Sequence, residues 1–297
     1  MKYLILGGTG TLGRELIKQL LAAPETEEIR IFSRDEFKQS QMKNDHQDHR
    51  LRFYLGDIRT RQSMAIPMTG VDIVYHVAAL KQIDTLEDNP LESVYTNIFG
   101  TINVAQMAIN KRVKFVCFSS TDKAVDPINV YGMCKGVSEK ILHYYNKNND
   151  RTRFNIFRWG NVLGSRGSFL HLLEDKISKG EAIPITDIGM TRFWILIQDA
   201  VSFMIENSSE GGGVFIPPIK SAPLVRVIKS YIKLKGLDPE EFKFEQIGIR
   251  PGEKIHERLI SSEEHPYKGF SGTIENQFTE NELIEVLGMA MGMGMGH

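Results

Sequence analysis

The chain lacks the features that mark several protein classes. It has two cysteines, Cys117 and Cys134, and neither belongs to a CxxC pair. That excludes a disulfide framework and points to reduced thiols in a cytoplasmic protein. No apolar run approaches the ~20 residues of a membrane span. Neither sign of charge dominates: 36 Lys+Arg stand against 37 Asp+Glu, a net charge of −1. A basic nucleic-acid footprint is therefore not expected. His143, His171, His256 and His265 form no metal-ligand pattern with the cysteines, so no metal site is expected. There is no internal repeat. The opening run, Tyr3 to Leu6, is too short for a signal peptide and leads into a glycine turn.

What is present describes a globular protein. Of the 297 residues, 41% are apolar and 25% charged, enough to build a sizeable core in one large domain or two smaller ones. Short apolar runs at 3–6, 29–32, 52–55, 73–76, 115–119 and 155–157 read as strands. Helical patterns at 12–22, 90–110 and 130–145 lie between them. This alternation predicts βαβ units and a doubly wound parallel sheet of Rossmann type, covered on both faces. After Gly160 the rhythm breaks, with glycines at 164, 167, 180 and 189, a run at 211–213, and Pro217-Pro218. The expected division is a nucleotide-binding domain over 1–165, rejoined by 186–215, and a smaller, mostly α/β substrate-binding part over 166–185 and 216–280. Residues 281–297, ending in alternating Met and Gly, are expected to fray.

The first strand runs into Gly7, Thr9, Gly10, Thr11, Leu12 and Gly13, a GxxGxxG loop that opens the first helix. Glycine there permits a tight turn and close approach to a pyrophosphate, and the helix N-terminus adds free N–H groups and a positive dipole end. About twenty residues on, where a dinucleotide's ribose is read, stand Ser33 and Arg34, with Lys38 one turn later. These favour a 2′-phosphate and hence NADP; Asp35 is the competing signal for NAD. Asp57 and Ile58, after the third strand, are placed against the adenine.

The densest chemistry lies in Ser119 to Lys123, at a strand end, and in Tyr131 to Lys135, at a helix start. In open parallel sheets, ligands bind beyond the carboxyl ends of the strands. Tyr131 and Lys135 are four apart and share a helix face. A cationic Lys135 is expected to lower the Tyr131 phenol from its usual ~10, so that it can remove a hydroxyl proton. Taken alone, YxxxK more often marks a surface helix pair.

The glycine loop followed by YxxxK resembles the extended short-chain dehydrogenase/reductase superfamily. STDKA at 120–124 with PINVYG at 127–132 is similar to the inverting UDP-N-acetylglucosamine 4,6-dehydratases. SRDEFK at 33–38, ALKQ at 79–82, GNVLGSRGS at 160–168, MTRFW at 190–194 and RPGEKIHE at 250–257 agree with that group. The departures are modest: Trp159 for a usual Tyr, Val77 for Ala, Met133-Cys134 for Ala-Thr, and a different stretch at 169–173.

The resemblance implies an NADP-dependent hydro-lyase acting on UDP-N-acetylglucosamine, as a homo-oligomer. It gives Tyr131 the O4 proton, Asp122 the leaving C6 oxygen and Lys123 the C5 proton, with Thr121 positioning O4. Configuration-retaining dehydratases commonly carry Glu where this chain has Lys123, so the Asp-Lys order points to inversion. Val77, Lys81, Ser119 and Ser120 join the cofactor contacts. Lys81 also reaches towards the sugar. Asn161, Phe169, Arg192 and Arg250 hold the nucleotide sugar, and Glu253 meets the UDP ribose. Two other readings stay open: a UDP-sugar 4-epimerase or retaining dehydratase, and a catalytically silent NADP-binding scaffold.

Overall fold

The computed structural model describes residues 1–165, 169–261 and 276–294. The first half alternates β1 (Lys2–Leu6), α1 (Thr11–Ala22), β2 (Glu28–Ser33), α2 (Glu36–Asp45), β3 (Leu51–Leu55) and β4 (Ile73–His76). A helical run follows: α3 (Ile83–Asp88), α4 (Pro90–Ser93), a π-helical stretch (Val94–Phe99) and α5 (Gly100–Lys111). Then come β5 (Phe115–Ser119), α6 (Val130–Asn148) and β6 (Arg153–Phe157). The later elements are β7 (Asn161–Leu163), α7 (Phe169–Lys179), β8 (Ile183–Ile185), β9 (Thr191–Leu196), α8 (Ile197–Glu206) and β10 (Gly213–Phe215). The chain continues through β11 (Lys220–Pro223), α9 (Leu224–Leu234), β12 (Phe244–Gln246) and α10 (Glu280–Gly294).

Seven strands form one parallel sheet in the order β10-β6-β5-β4-β1-β2-β3. This is a Rossmann-type doubly wound sheet, and the order reverses between β1 and β4. A ligand crevice opens at such a switch point, beyond the strands' carboxyl ends. Strands β1, β4 and β5 are almost wholly buried because helices cover both faces. On one face Leu16, Ile17 and Leu20 of α1 pack with Ala200, Val201 and Met204 of α8. On the other, Val104 and Ala108 of α5 and Leu142 of α6 cover the sheet. Each fully buried Leu or Ile contributes roughly 1.5–3 kcal/mol, so these stripes anchor the frame that carries the strand ends.

The second part is built on a small sheet, β11-β9-β7, with β8 and β12 paired beside it. The stretch 186–215 divides: β9 belongs to this small sheet, while α8 packs on α1 and β10 extends the large one. The expectation of fraying over 281–297 is corrected for 281–294. Glu280–Gly294 is helix, with Leu283, Leu287 and Ala290 buried against Val227, Ile228 and Tyr231 of α9. Leu283, Leu287 and Ala290 follow helical i, i+4, i+7 spacing, an apolar stripe that the Met/Gly alternation hides. Residues 295–297 lie outside the described residues. Among the described residues, no helix is long and apolar enough to cross a membrane and no metal-binding cluster of His, Cys, Asp or Glu occurs.

Candidate active site

The glycine loop leaves β1 at the switch point. Gly7 has φ +89°, a left-handed conformation that favours glycine. A Cβ on Gly13 would lie 2.5 Å from the Cα of Gly8, so the turn and the first helical turn touch backbone to backbone. Gly10 caps α1 with no side-chain hydrogen bond, leaving the helix end open to an anion. Thr9, Thr11, Leu12 and Gly13 line a cavity of about 490 Å³, together with Val77 and Lys81 beyond β4. These features fit a dinucleotide's pyrophosphate.

A neighbouring cavity of about 310 Å³ is lined by Ser33, Arg34, Lys38, Asp57 and Ile58. Asp35, the expected competitor for a ribose, is engaged locally. It caps α2 by accepting from Lys38 N at 2.9 Å, and its other oxygen pairs with Lys38 Nζ at 2.5 Å. Arg34 is half exposed, 3.6 Å from Asp57. The Ser33 hydroxyl accepts from Gln39.

The reaction centre is built where β5 ends. Thr121 to Ala124 form a tight 3-10 turn, with Thr121 capping it. Asp122 is fully buried, and its Oδ1 accepts from Thr121 Oγ1 and Lys123 Nζ, both at 3.0 Å. Its Oδ2 has no partner among the described residues. Lys123, Thr121, Ser119, Ser120, Tyr131 and Lys135 line the same large cavity as the glycine loop. Gly132 lets α6 dock on this turn: a Cβ there would lie 2.1 Å from the Lys123 carbonyl oxygen.

The electrostatics of the YxxxK pair differ from expectation. Burial pushes the Tyr131 phenol well up, the Asp122 carboxylate adds to this, and a hydrogen bond with Thr121 pulls it back. Lys135 does not lower the phenol. Its Nζ donates to the Ser119 carbonyl at 2.7 Å and lies 4.2 Å from the Phe118 ring centre. Burial brings Lys135 down to about 7, against the pull of Glu139 in the other direction. Four-residue spacing put both side chains on one face, but the amine's reach to a backbone carbonyl is a tertiary contact that spacing does not encode. His76 is a buried core residue, bonded to Thr101 at 3.1 Å and held near 3 by burial.

The substrate candidates are only partly gathered. Asn161 and Phe169 line the large cavity, and Phe169 packs near Trp194. Arg192 is buried, with its Nη1 donating to the Thr191 and Ile255 carbonyls. Arg250 is exposed, and Glu253 accepts from Thr186 at 2.9 Å. None of these three lines the cavity. Residues 166–168 of the GNVLGSRGS segment lie outside the described residues.

Three supporting groups carried no sequence signal of their own. Asn97, in the π-helical stretch, bonds both the N–H and the carbonyl of Leu80, each at 2.9 Å, and so pins the loop that carries Lys81. Arg158 and Glu139 form a buried pair at 2.5 Å, and Glu139 accepts from the Ser120 hydroxyl. Glu257, in the RPGEKIHE segment, comes within 3.7 Å of Lys123 Nζ. Only its place inside that segment could have drawn attention to it.

Comparison with known proteins agrees with this geometry. Residues 3–275 match the family described as polysaccharide biosynthesis protein. A UDP-N-acetylglucosamine 4,6-dehydratase (inverting) of Campylobacter jejuni is 40% identical over 266 residues, covering 88% of this chain and 78% of that protein. A UDP-glucose 4-epimerase of Rickettsia bellii is 39% identical over 268 residues, with the same coverage. The X-ray structure of Pen from Bacillus thuringiensis superposes with a TM-score of 0.88 at 33% identity, covering 98% of this chain and 97% of that one. The chain belongs to the polysaccharide biosynthesis protein family, on a short-chain dehydrogenase/reductase fold.

Proposed function

We propose that this protein is an NADP-dependent UDP-N-acetylglucosamine 4,6-dehydratase that inverts C5. The observation that carries the reading is the Asp122–Lys123 pair at 3.0 Å: Lys123 lines the cavity that also holds Tyr131 and the glycine loop, and Asp122 is buried beside it. A bound nicotinamide cofactor supplies a reversible hydride acceptor and, when oxidised, a positive ring charge. Gly7, Gly10 and Gly13 would hold its pyrophosphate. Ser33 and Arg34, which line the cavity of about 310 Å³ together with Asp35, would hold a 2′-phosphate.

The chain's own groups divide the proton work. Burial and Asp122 hold the phenol protonated, so Tyr131 must first be drawn to the phenolate by the positive ring of a bound cofactor. It then takes the O4 proton as O4 becomes a carbonyl. The ketone acidifies the C5 hydrogen, which passes to the neutral Lys123 amine. Asp122 gives its proton to the C6 oxygen, which leaves as water. The hydride removed from C4 is returned at C6, and a solvent-derived proton enters C5 on the face opposite to the one the original proton left, which inverts that centre. The amine must have given up its proton and the carboxyl must hold one before elimination begins, and the two groups are in hydrogen-bond contact at 3.0 Å. Thr121, bonded to Asp122, orients the turn.

A 4-epimerase reading has the Rickettsia relative in its favour. Epimerisation needs Tyr131 and Lys135 but neither Asp122 nor Lys123. The two part on one substitution: Lys123→Ala is expected to keep cofactor binding and lose dehydration of UDP-N-acetylglucosamine. Dehydration at the unaltered rate in that variant would remove Lys123 from the reaction.

We further assign self-association to the apolar stripe of Leu91, Tyr95 and Phe99 beside Met133 and Val137, all exposed on neighbouring helices. Sedimentation is expected to give a dimer or larger assembly; a monomer at micromolar concentration would refute this.

A further inference from the structure

We infer that Glu257 is a positioning residue for Lys123, the counter-charge to the ammonium formed when that amine takes the C5 proton. The inference deepens the proposed function and rests on the reading of Lys123 as the C5 base.

The segment bearing Glu257 is clamped onto the catalytic turn. Lys254 Nζ donates to the Val125 carbonyl at 2.6 Å, Asn129 to the Gly252 carbonyl at 2.8 Å and Arg158 to the Leu259 carbonyl at 2.8 Å. These bonds bring Glu257, 3% exposed, behind the Lys123 amine. Its Oε1 stands 3.7 Å from Lys123 Nζ, and its Oε2 lies 3.3 Å from Lys254 Nζ with no hydrogen-bond partner among the described residues. Among the described residues, the charged and titratable groups about the amine are Asp122 on its own turn, Glu257 with Lys254 behind it, and Tyr131 on α6 through the effect of Asp122 on it. Lys123 lines the cavity, which Asp122 and Glu257 do not.

Elimination moves one proton from C5 to Lys123 and another from Asp122 to the departing C6 oxygen. The amine thus becomes positive just as Asp122 becomes negative. A carboxylate 3.7 Å from the amine favours its charged form. Lys254 Nζ, 3.3 Å from the other carboxylate oxygen, offsets part of that pull. An opposite charge within ~4–6 Å shifts a titration by about 1–3 units. Two variants should therefore move the same pH profile in opposite directions.

The test follows C5 hydrogen–deuterium exchange in UDP-N-acetylglucosamine, with NADP-loaded enzyme, across pH. Glu257→Gln, close in shape, is expected to move the acid limb down by about one unit and to slow exchange on the plateau about tenfold, with KM little changed. Lys254→Met is expected to move the limb up. Unmoved limbs in both variants, with exchange lost in Lys123→Ala, would reduce Glu257 to a structural strut. A shift of both limbs in one direction would also overturn the inference. If Glu257→Gln does not fold, the direction of the Lys254→Met shift decides alone. Retained exchange in Lys123→Ala would overturn the base assignment itself, and this inference with it.

Discussion

The glycine loop, which lines the cavity, and the 250–261 segment, which is held against the turn that carries Lys123, are built in opposite ways. The loop is local: Gly7 to Gly13 turn on their own backbone, and β1 and α1 on either side are fixed by apolar patterns. The segment has little regular structure, and distant partners hold it: Asn129, Val125, Lys123 and Arg158. A locally determined site tolerates change elsewhere in the chain. A site assembled from long-range contacts fails when any clamp fails.

Substitutions can sharpen that contrast. The largest effect is expected at the start of α6, beside the turn that carries Lys123. Tyr131→Phe should lower kcat at least about a thousandfold with cofactor affinity retained; turnover within tenfold of the unaltered enzyme would contradict its role. Arg158→Met should come next. It leaves Glu139 buried and unpaired and frees Leu259, costing about 3–5 kcal/mol in denaturant titration and loosening the segment by hydrogen exchange. Gly13→Ala presses a methyl group into Gly8 and should cost about 1–3 kcal/mol. Its cofactor affinity should fall in calorimetry, while exchange protection over 250–261 stays unchanged. Loss of protection there would break the contrast.

The smallest effect concerns pH. Burial brings Lys135 to about 7 in the folded chain, against 10.5 when free. Between those values the unfolded chain binds the extra proton, so the penalty for burying this group is full at and below about pH 7 and shrinks as pH rises towards 10.5. The unaltered protein should therefore gain stability relative to Lys135→Met from pH 7 to 10 in the cofactor-free form. A flat difference would mean that Lys135 remains charged across that range.

The legibility of the sequence follows the same division. All six strands expected in the first half are present, because fully buried parallel strands are near-continuous apolar runs and leave a strong local signal. Helix α2 was missed because its residues are mostly polar and only Gln39 and Met42 are buried. The helix at 280–294 was missed because the Met and Gly alternation masks its stripe. At the site, Gly13, Tyr131 and Lys135 were legible from short spacings. The Asp122–Lys123 pair was legible only through its resemblance to a family. Glu257, Asn97 and Glu139 were not, since each acts through a residue far away in the chain. The burial of Tyr131, and the carbonyl that claims Lys135, are likewise tertiary facts.

The central claim is that an amine and a carboxyl group beside the cavity remove water across C5 and C6 of a nucleotide sugar with inversion. The most direct measurement is proton NMR of UDP-N-acetylglucosamine turned over by the NADP-loaded enzyme in deuterated water. The account predicts a 4-keto-6-deoxy product carrying deuterium at C5 in the inverted configuration. A 4-epimer with its C6 hydroxymethyl group intact, or a product with C5 retained, would contradict it.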